Sequence, residues 1–198
     1  MLPESCIVLE NHNGTAPGVI METEGKREIL LPGPPGELCA MFEESVAPYL
    51  AGLTSRVICS QTVKICGVGE SRAETMVRDL IDSQTNPTIA TYAKTGEVHI
   101  RVTAGADDKK AAMKLIKPMV KELKHRFGND IYTTEEDVTL EKAVVDLLQA
   151  NDLTVTCAES CTGGLLSARL INVPGASEVY KAGVVTYSNK AKRRFLNV

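Results

Sequence analysis

Tryptophan is absent from the 198 residues, and only three Phe and five Tyr are present. The core must therefore be built mostly from Val, Leu, Ile, Ala and Met. No apolar run approaches the roughly 20 residues that a membrane-spanning helix needs, so a membrane association is not expected. The opening Met1-Leu2-Pro3-Glu4-Ser5 has neither the basic start nor the apolar stretch of a secretory signal, and a cytoplasmic location is expected. No Cys-x-x-Cys pair occurs among Cys6, Cys39, Cys59, Cys66, Cys157 and Cys161, and His12, His99 and His125 stand apart. This argues against a zinc ligand set and for free thiols. Histidine is also missing after residue 125, so a serine nucleophile in that region would need another base.

What is present is ordinary for a globular protein: 43% hydrophobic and 24% charged residues, enough for a packed core without staples. Charge is spread unevenly. Residues 1–55 carry 2 basic and 8 acidic side chains, residues 56–128 carry 13 and 8, and residues 129–198 carry 7 and 9. The asymmetry divides the chain into three segments.

Segment 1–55 reads as short strands and turns. Ser5 to Leu9 is strand-like, residues 11–18 form a loop, and Val19–Glu22 and Arg27–Leu31 flank a hairpin turn at Glu24-Gly25-Lys26. A helix follows from about Glu37 to Tyr49. Segment 56–128 alternates β-α-β-β-α: a strand over 57–65, a break at Gly67-Val68-Gly69, a helix over 70–81, strands over 88–92 and 98–103, and a long helix over 107–126. Pro118 is expected to kink that helix. The pattern predicts a small split sheet with two helices on one face. In segment 129–198, Thr139 is expected to cap a helix running to Ala150. A strand follows over 153–157, then a loop over 159–164, a helix over 165–171, a strand over 183–187, and a helix starting at Asn189.

The richest chemistry lies in Ala158-Glu159-Ser160-Cys161-Thr162-Gly163-Gly164. A hydroxyl at a strand-to-helix turn is open to a substrate, glycines let the backbone approach, and free N–H groups at a helix start can bind an oxyanion or a phosphate. A simple capped turn would use the same residue types. A serine needs an activating base. Tyr187-Ser188-Asn189-Lys190-Ala191-Lys192 offers a lysine, and the positive neighbours Lys190, Arg193 and Arg194 would favour a neutral amine at Lys192. A solvated basic helix face is the alternative for that run.

The runs AESCTGG, VPGAS and GVVTYSNKAK, in this order and spacing, resemble the C-terminal domain of the CinA family. The resemblance implies a nicotinamide mononucleotide amidohydrolase that cleaves the carboxamide to nicotinic acid mononucleotide and ammonia. It implies that Ser160 and Lys192 act as a Ser/Lys pair with Tyr187 beside them. Glu159, Thr162, Gly163 and Gly164 are read as substrate-binding, with amides near Thr162, Gly163 and Gly164 stabilising the oxyanion or holding the phosphate. Cys161 is a rival nucleophile by chemistry, and the family pattern favours Ser160.

NHNGTAPG and LLPGPPGE resemble the end of the family's N-terminal domain, which is related to molybdopterin-binding folds and implies a metal-dependent ADP-ribose pyrophosphatase. Gly33, Pro34, Pro35 and Glu37 are the residues expected near that site, or equally the residues of a sharp strand-to-helix turn. Residues 56–128 resemble the family's KH-like middle domain. RNA-binding KH domains carry a G-x-x-G loop between helices; here the glycine turn joins a strand to a helix, which favours a coupling role over RNA binding.

The expected fold class is α/β and α+β in several domains: 1–55, the end of a molybdopterin-binding-like domain; 56–128, a KH-like domain; 129–198, the first part of a CinA C-terminal α/β domain. A small nucleotide is the expected substrate, with no cofactor for the amide hydrolysis and a divalent metal admitted only for the pyrophosphatase domain. A homo-oligomer is expected, nucleic acid and membrane are not, and this length of chain by itself is expected to have little activity. The competing reading is a nucleotide- or RNA-binding module built on the KH-like segment. Thiol redox chemistry at Cys157 and Cys161 is disfavoured by their spacing.

Overall fold

The computed structural model describes Pro3 and residues 5–198; Met1, Leu2 and Glu4, read above for an export signal, lie outside the described residues. The chain divides into two compact units, one reaching to Val57 together with Ala106–Asp108, the other comprising Ile58–Gly105 and Lys109–Val198.

The first unit holds a three-stranded antiparallel sheet in the order β1 (Ile7–Leu9), β2 (Gly18–Thr23), β3 (Lys26–Leu30). The β2–β3 hairpin pairs Thr23 with Lys26 across the turn at Glu24 and Gly25, both of which have positive φ. That is the geometry a two-residue hairpin loop demands. Helix α1 (Pro35–Met41) continues through a π-helical stretch over Phe42–Val46 into α2 (Ala47–Ala51). The expected helix is thus present, starting two residues earlier. The widened turns fall just before Pro48, which has no N–H to give to the preceding turn. Ile20, Met41, Val46 and Leu9 form the small core beneath.

The second unit is built on a four-stranded sheet in the order β5 (Thr88–Lys94), β6 (Glu97–Ala106), β4 (Val57–Cys66), β7 (Ile131–Thr133). Strict alternation on β6 buries Val98, Ile100, Val102 and Ala104. Helices α3 (Glu70–Asp82) and α4 (Lys109–Phe127) bury Ala73 and Val77, and Ala112, Ile116, Val120, Leu123 and Phe127. Arg126 on α4 ties the two helices together through Asp79 (Nη2 to Oδ2, 2.8 Å) and the carbonyl of Met76 (2.7 Å). Helix α4 runs unbroken past Pro118 and ends one residue later than expected. Strand β7 was not foreseen. Only three residues long, it carries too little pattern of its own and is defined by pairing with β4 at Lys64 and Ile65.

Lys64 lies between Val63 and Ile65, both fully buried, so it points to the opposite face of the sheet. It is nevertheless only 8% exposed. Its ammonium donates to the carbonyls of Glu136 (2.6 Å) and Val138 (2.9 Å), in the segment leading to α5 (Leu140–Ala150). Thr139 caps α5 as expected, its Oγ1 accepting from the Lys142 amide at 3.2 Å. The remaining elements are β8 (Val155–Glu159), α6 (Leu165–Ile171), β9 (Tyr180–Val185) and the short α7 (Asn189–Ala191), which passes into a π-helical turn over Lys192–Leu196. Strands β8 and β9 pair in parallel, from Val155 opposite Tyr180 to Glu159 opposite Val185. This pairing corrects the expected ranges. Strand β8 ends two residues later and β9 starts three residues earlier, because ladder partners rather than apolar residues set their limits. Val145, Cys157, Leu170, Val173, Ala176 and Val179 form the core around them.

Candidate active site

Two parallel strands end together at Glu159 and Val185, and the Thr186 amide donates to the Glu159 carbonyl at 2.8 Å, one residue beyond the last paired position. Ser160 and Tyr187 therefore leave the sheet at the same carboxyl-terminal edge. In open parallel sheets that edge is where loops gather around a ligand. Thr186 between them is buried at 3% exposure, while Tyr187 is 77% exposed.

After Ser160 the backbone turns sharply. The Gly163 amide donates to the Ser160 carbonyl at 3.1 Å, and Gly163 and Gly164 take φ of +62° and +95°. Only glycine adopts two such angles in succession at little cost, which accounts for the pair at this position. Ser160 itself is half-buried and Cys161 is exposed.

Glu159 was expected to meet substrate. Instead it belongs to β8, is 6% exposed, and turns inward. Its Oε2 accepts from the Leu166 amide at 3.0 Å and its Oε1 from the Ser167 amide at 2.9 Å, with the Ser167 hydroxyl also donating to Oε1. Behind it, the Tyr180 hydroxyl donates to Ser167 Oγ at 2.8 Å. The Ser167 hydroxyl, with the backbone donors and Thr162, holds the Glu159 carboxyl at about 2, well below the usual carboxylate range. This role was missed because nothing in the local sequence ties position 159 to positions 166, 167 and 180; the crossover through α6 does.

Lys192 follows directly on α7. The Ser188 Oγ caps that helix by accepting from the Ala191 amide at 3.1 Å, and the Lys192 amide donates to the Ser188 carbonyl at 3.0 Å. Lys192 is half-buried at the start of the π-helical turn. Among the described residues no hydrogen bond joins the side chains of Ser160, Tyr187 and Lys192. The sheet brings the first two to one edge, and the third stands directly after the capped helix that follows.

In the first unit, Pro34 and Pro35 start α1, and the Glu37 carboxylate accepts from Asn11 Nδ2 at 2.6 Å. Asn13 Nδ2 donates to the Gly36 carbonyl at 3.1 Å. The two glycine-rich stretches singled out in the sequence are thus knitted to each other. A Cβ on Gly14 would lie 2.1 Å from Glu37 Oε2 and would displace the Glu37 side chain from its bond to Asn11, whereas one on Gly33 would meet open space. Among the described residues no group of three or more His, Cys, Asp or Glu side chains could hold a metal ion. No helix among them is long and apolar enough to cross a membrane.

A second polar cluster, also missed, lies in the other unit. Glu97 and His99 on β6 meet Tyr132 on β7, with Lys64, Glu141 and Arg169 lining the same cleft. His99 Nε2 is 3.0 Å from Glu97 Oε2, and the Tyr132 hydroxyl donates to the same oxygen. Burial pulls the Glu97 carboxyl upward, but the bonds from Tyr132 and His99 outweigh it and hold it below the usual range. Burial, then the bond to Glu97, pushes the Tyr132 phenol up. A lysine in the middle of the apolar run Val63-Lys64-Ile65 was the available sequence signal for this cluster.

Fold and site together define a protein of mixed α/β class, with a sheet domain of β-α-β-β-α order followed by a parallel α/β unit carrying a serine turn. Residues 60–133 match the family profile described as "Damage-inducible protein CinA KH domain", and residues 137–198 match the "CinA C-terminal domain". The chain is 52% identical over 198 residues to a "Putative competence-damage inducible protein" of Clostridium beijerinckii, covering 100% of this chain and 48% of that protein. It is 53% identical over 195 residues to a "CinA-like protein" of Dictyoglomus thermophilum, covering 98% of this chain and 47% of that protein. A crystal structure of a competence/damage inducible protein from Agrobacterium tumefaciens is 42% identical over 30% of this chain and 36% of its own, with a TM-score of 0.29. The chain spans about half the length of the curated relatives it matches. It belongs to the CinA family.

Proposed function

We propose that the protein hydrolyses the carboxamide of nicotinamide mononucleotide, with Ser160 as nucleophile and Lys192 as base. The observation that carries the reading is the shared edge of β8 and β9, from which Ser160 and Tyr187 both emerge, with Lys192 directly after the short helix capped by Ser188. Membership of the CinA family supports the reaction class.

Lys192, in its neutral form, takes the Ser160 hydroxyl proton as Oγ attacks the amide carbon. The tetrahedral oxyanion collapses, the C–N bond breaks, and Lys192 returns the proton to the departing nitrogen, releasing ammonia. Water then attacks the acyl-enzyme, Lys192 takes its proton, and Ser160 leaves protonated as nicotinic acid mononucleotide forms. Tyr187 orients the lysine or relays its proton.

Cys161 is displaced from the nucleophile's place by one residue and faces solvent. Glu37, expected near the pyrophosphatase site of the first unit, is engaged by Asn11 in a bond between the two glycine-rich stretches. The nucleic-acid reading is weakened because Gly67-Val68-Gly69 joins β4 to α3 and is no helix–helix loop.

The test is ammonia release from nicotinamide mononucleotide by the protein as the cell makes it. Ser160→Ala and Lys192→Met are expected to lower kcat by about 10³-fold or more, as loss of one member of a catalytic unit does. Cys161→Ala is expected to keep full turnover. Full turnover by Ser160→Ala would overturn the assignment.

A further inference from the structure

We propose that Glu159, backed by Ser167 and Tyr180, is a positioning residue for Ser160, and that the amides of Cys161 and Thr162, rather than the start of α6, receive the oxyanion. The inference rests on the amidohydrolase reading and specifies how that site treats negative charge.

A helix start attracts an anion because its first amides lack partners. At α6 they do not lack them. The Leu165 amide donates to the Thr162 carbonyl at 3.0 Å and the Ala168 amide to the Gly164 carbonyl at 2.8 Å. Between them, the Leu166 and Ser167 amides are both taken by the Glu159 carboxylate. An anion supplied by the chain itself thus fills the place a substrate phosphate would occupy, and its charge repels a second one.

In the turn before α6, the Gly163 amide is also engaged, by the Ser160 carbonyl. The amides of Cys161 and Thr162 donate to no acceptor among the described residues. They are the two that immediately follow the nucleophile, within reach of an oxygen on the carbon that Ser160 attacks. The substrate must therefore enter with its carboxamide at the turn and its phosphate held by groups beyond it.

The network also fixes the turn. Glu159 immediately precedes Ser160 and joins the end of β8 to the start of α6, so the loop carrying the nucleophile is anchored at both ends by one side chain. Ser167 passes this constraint to Tyr180 at the start of β9, the strand that leads to Tyr187. A Cβ on Gly183 would lie 2.0 Å from the Tyr180 hydroxyl, so the absence of a side chain there leaves room for it.

The test compares the unaltered protein with Glu159→Gln and Tyr180→Phe by two readouts: the rate at which a fluorophosphonate labels Ser160, and kcat and KM for ammonia release. Tyr180→Phe removes only a hydroxyl and guards against a folding failure in Glu159→Gln. Displacing a nucleophile by a fraction of an ångström up to 1 Å costs as much as about 10²-fold. Glu159→Gln is expected to slow labelling and lower kcat by about 10-fold to 10²-fold, and Tyr180→Phe by a few-fold, each with KM within about two-fold. Labelling rates equal to that of the unaltered protein in both variants, or a raised KM with kcat held, overturn the proposal. Slower labelling of the variants in a protein that releases no ammonia from nicotinamide mononucleotide leaves the positioning role standing and removes the amidohydrolase reading.

Discussion

Lys64 reaches out of the four-stranded sheet to donate to the carbonyl of Val138 at 2.9 Å, one residue before the cap of α5. The same ammonium holds Glu136. A single buried charge thereby fastens the segment between the two family domains to the sheet of the first.

Removing that ammonium leaves two partly buried carbonyls without their donor. Lys64→Met keeps the stem and deletes the charge. It is expected to lower stability by about 1–3 kcal/mol, the cost of leaving buried polar groups unsatisfied. Urea unfolding followed by circular dichroism checks it: the midpoint should fall with the slope unchanged.

Thr139 gives the same junction its helix cap. Thr139→Ala is expected to cost about 0.5–2 kcal/mol, and Thr139→Ser or Thr139→Asp to keep most of the stability. Thermal melts of the three variants would rank them. A loss in Thr139→Asp equal to that in Thr139→Ala would contradict the capping role.

Glu159 makes stability depend on pH in a definite direction. Its folded-state carboxyl sits at about 2, against an ordinary value near 4.5. A carboxylate depressed on folding contributes stability that is fully present above its unfolded value and is lost as pH falls through the folded one. The gap in unfolding midpoint between the unaltered protein and Glu159→Gln is expected to be widest at pH 6–7 and to shrink steadily below about pH 4. Urea titrations at several pH values measure it, and a gap that widens in acid would refute the assignment.

Gly183→Ala forces a Cβ onto the Tyr180 hydroxyl and within 3.1 Å of Ser167 Oγ. It is expected to cost about 1–3 kcal/mol, as overpacking does. In a Tyr180→Phe background the clash with the hydroxyl is gone, so the two losses should add to less than their sum. Strict additivity in this cycle would mean that the two positions do not meet.

The thiols give an inexpensive check on burial. Cys39 and Cys161 are exposed and Cys157 is buried in the core around β8. In native protein an aromatic disulfide reagent should react with Cys39 and Cys161 within the first phase, while Cys157 should react only on unfolding. Early modification of Cys157 would show that this core is open.

The sequence by itself determined the element types almost everywhere. Regular alternation on β6 and the apolar spacing of α3, α4 and α5 repeat over enough residues to be read locally, and Thr139 and the Glu24-Gly25 turn carry their own chemistry. It also pointed to Ser160, because a hydroxyl before two glycines at a strand-to-helix turn is a local pattern. Tertiary structure alone decided what depends on residues far apart in the chain. The limits of β8 and β9 follow from their parallel pairing, and the three residues of β7 are a strand only because β4 lies beside them. Glu159 became an internal cap because the crossover returns the amides of residues 166 and 167 to it, and Lys64 is held in place by carbonyls 72 and 74 residues away. Hydrogen bonds between distant segments have no period and leave no local trace, so their assignment had to wait for the fold.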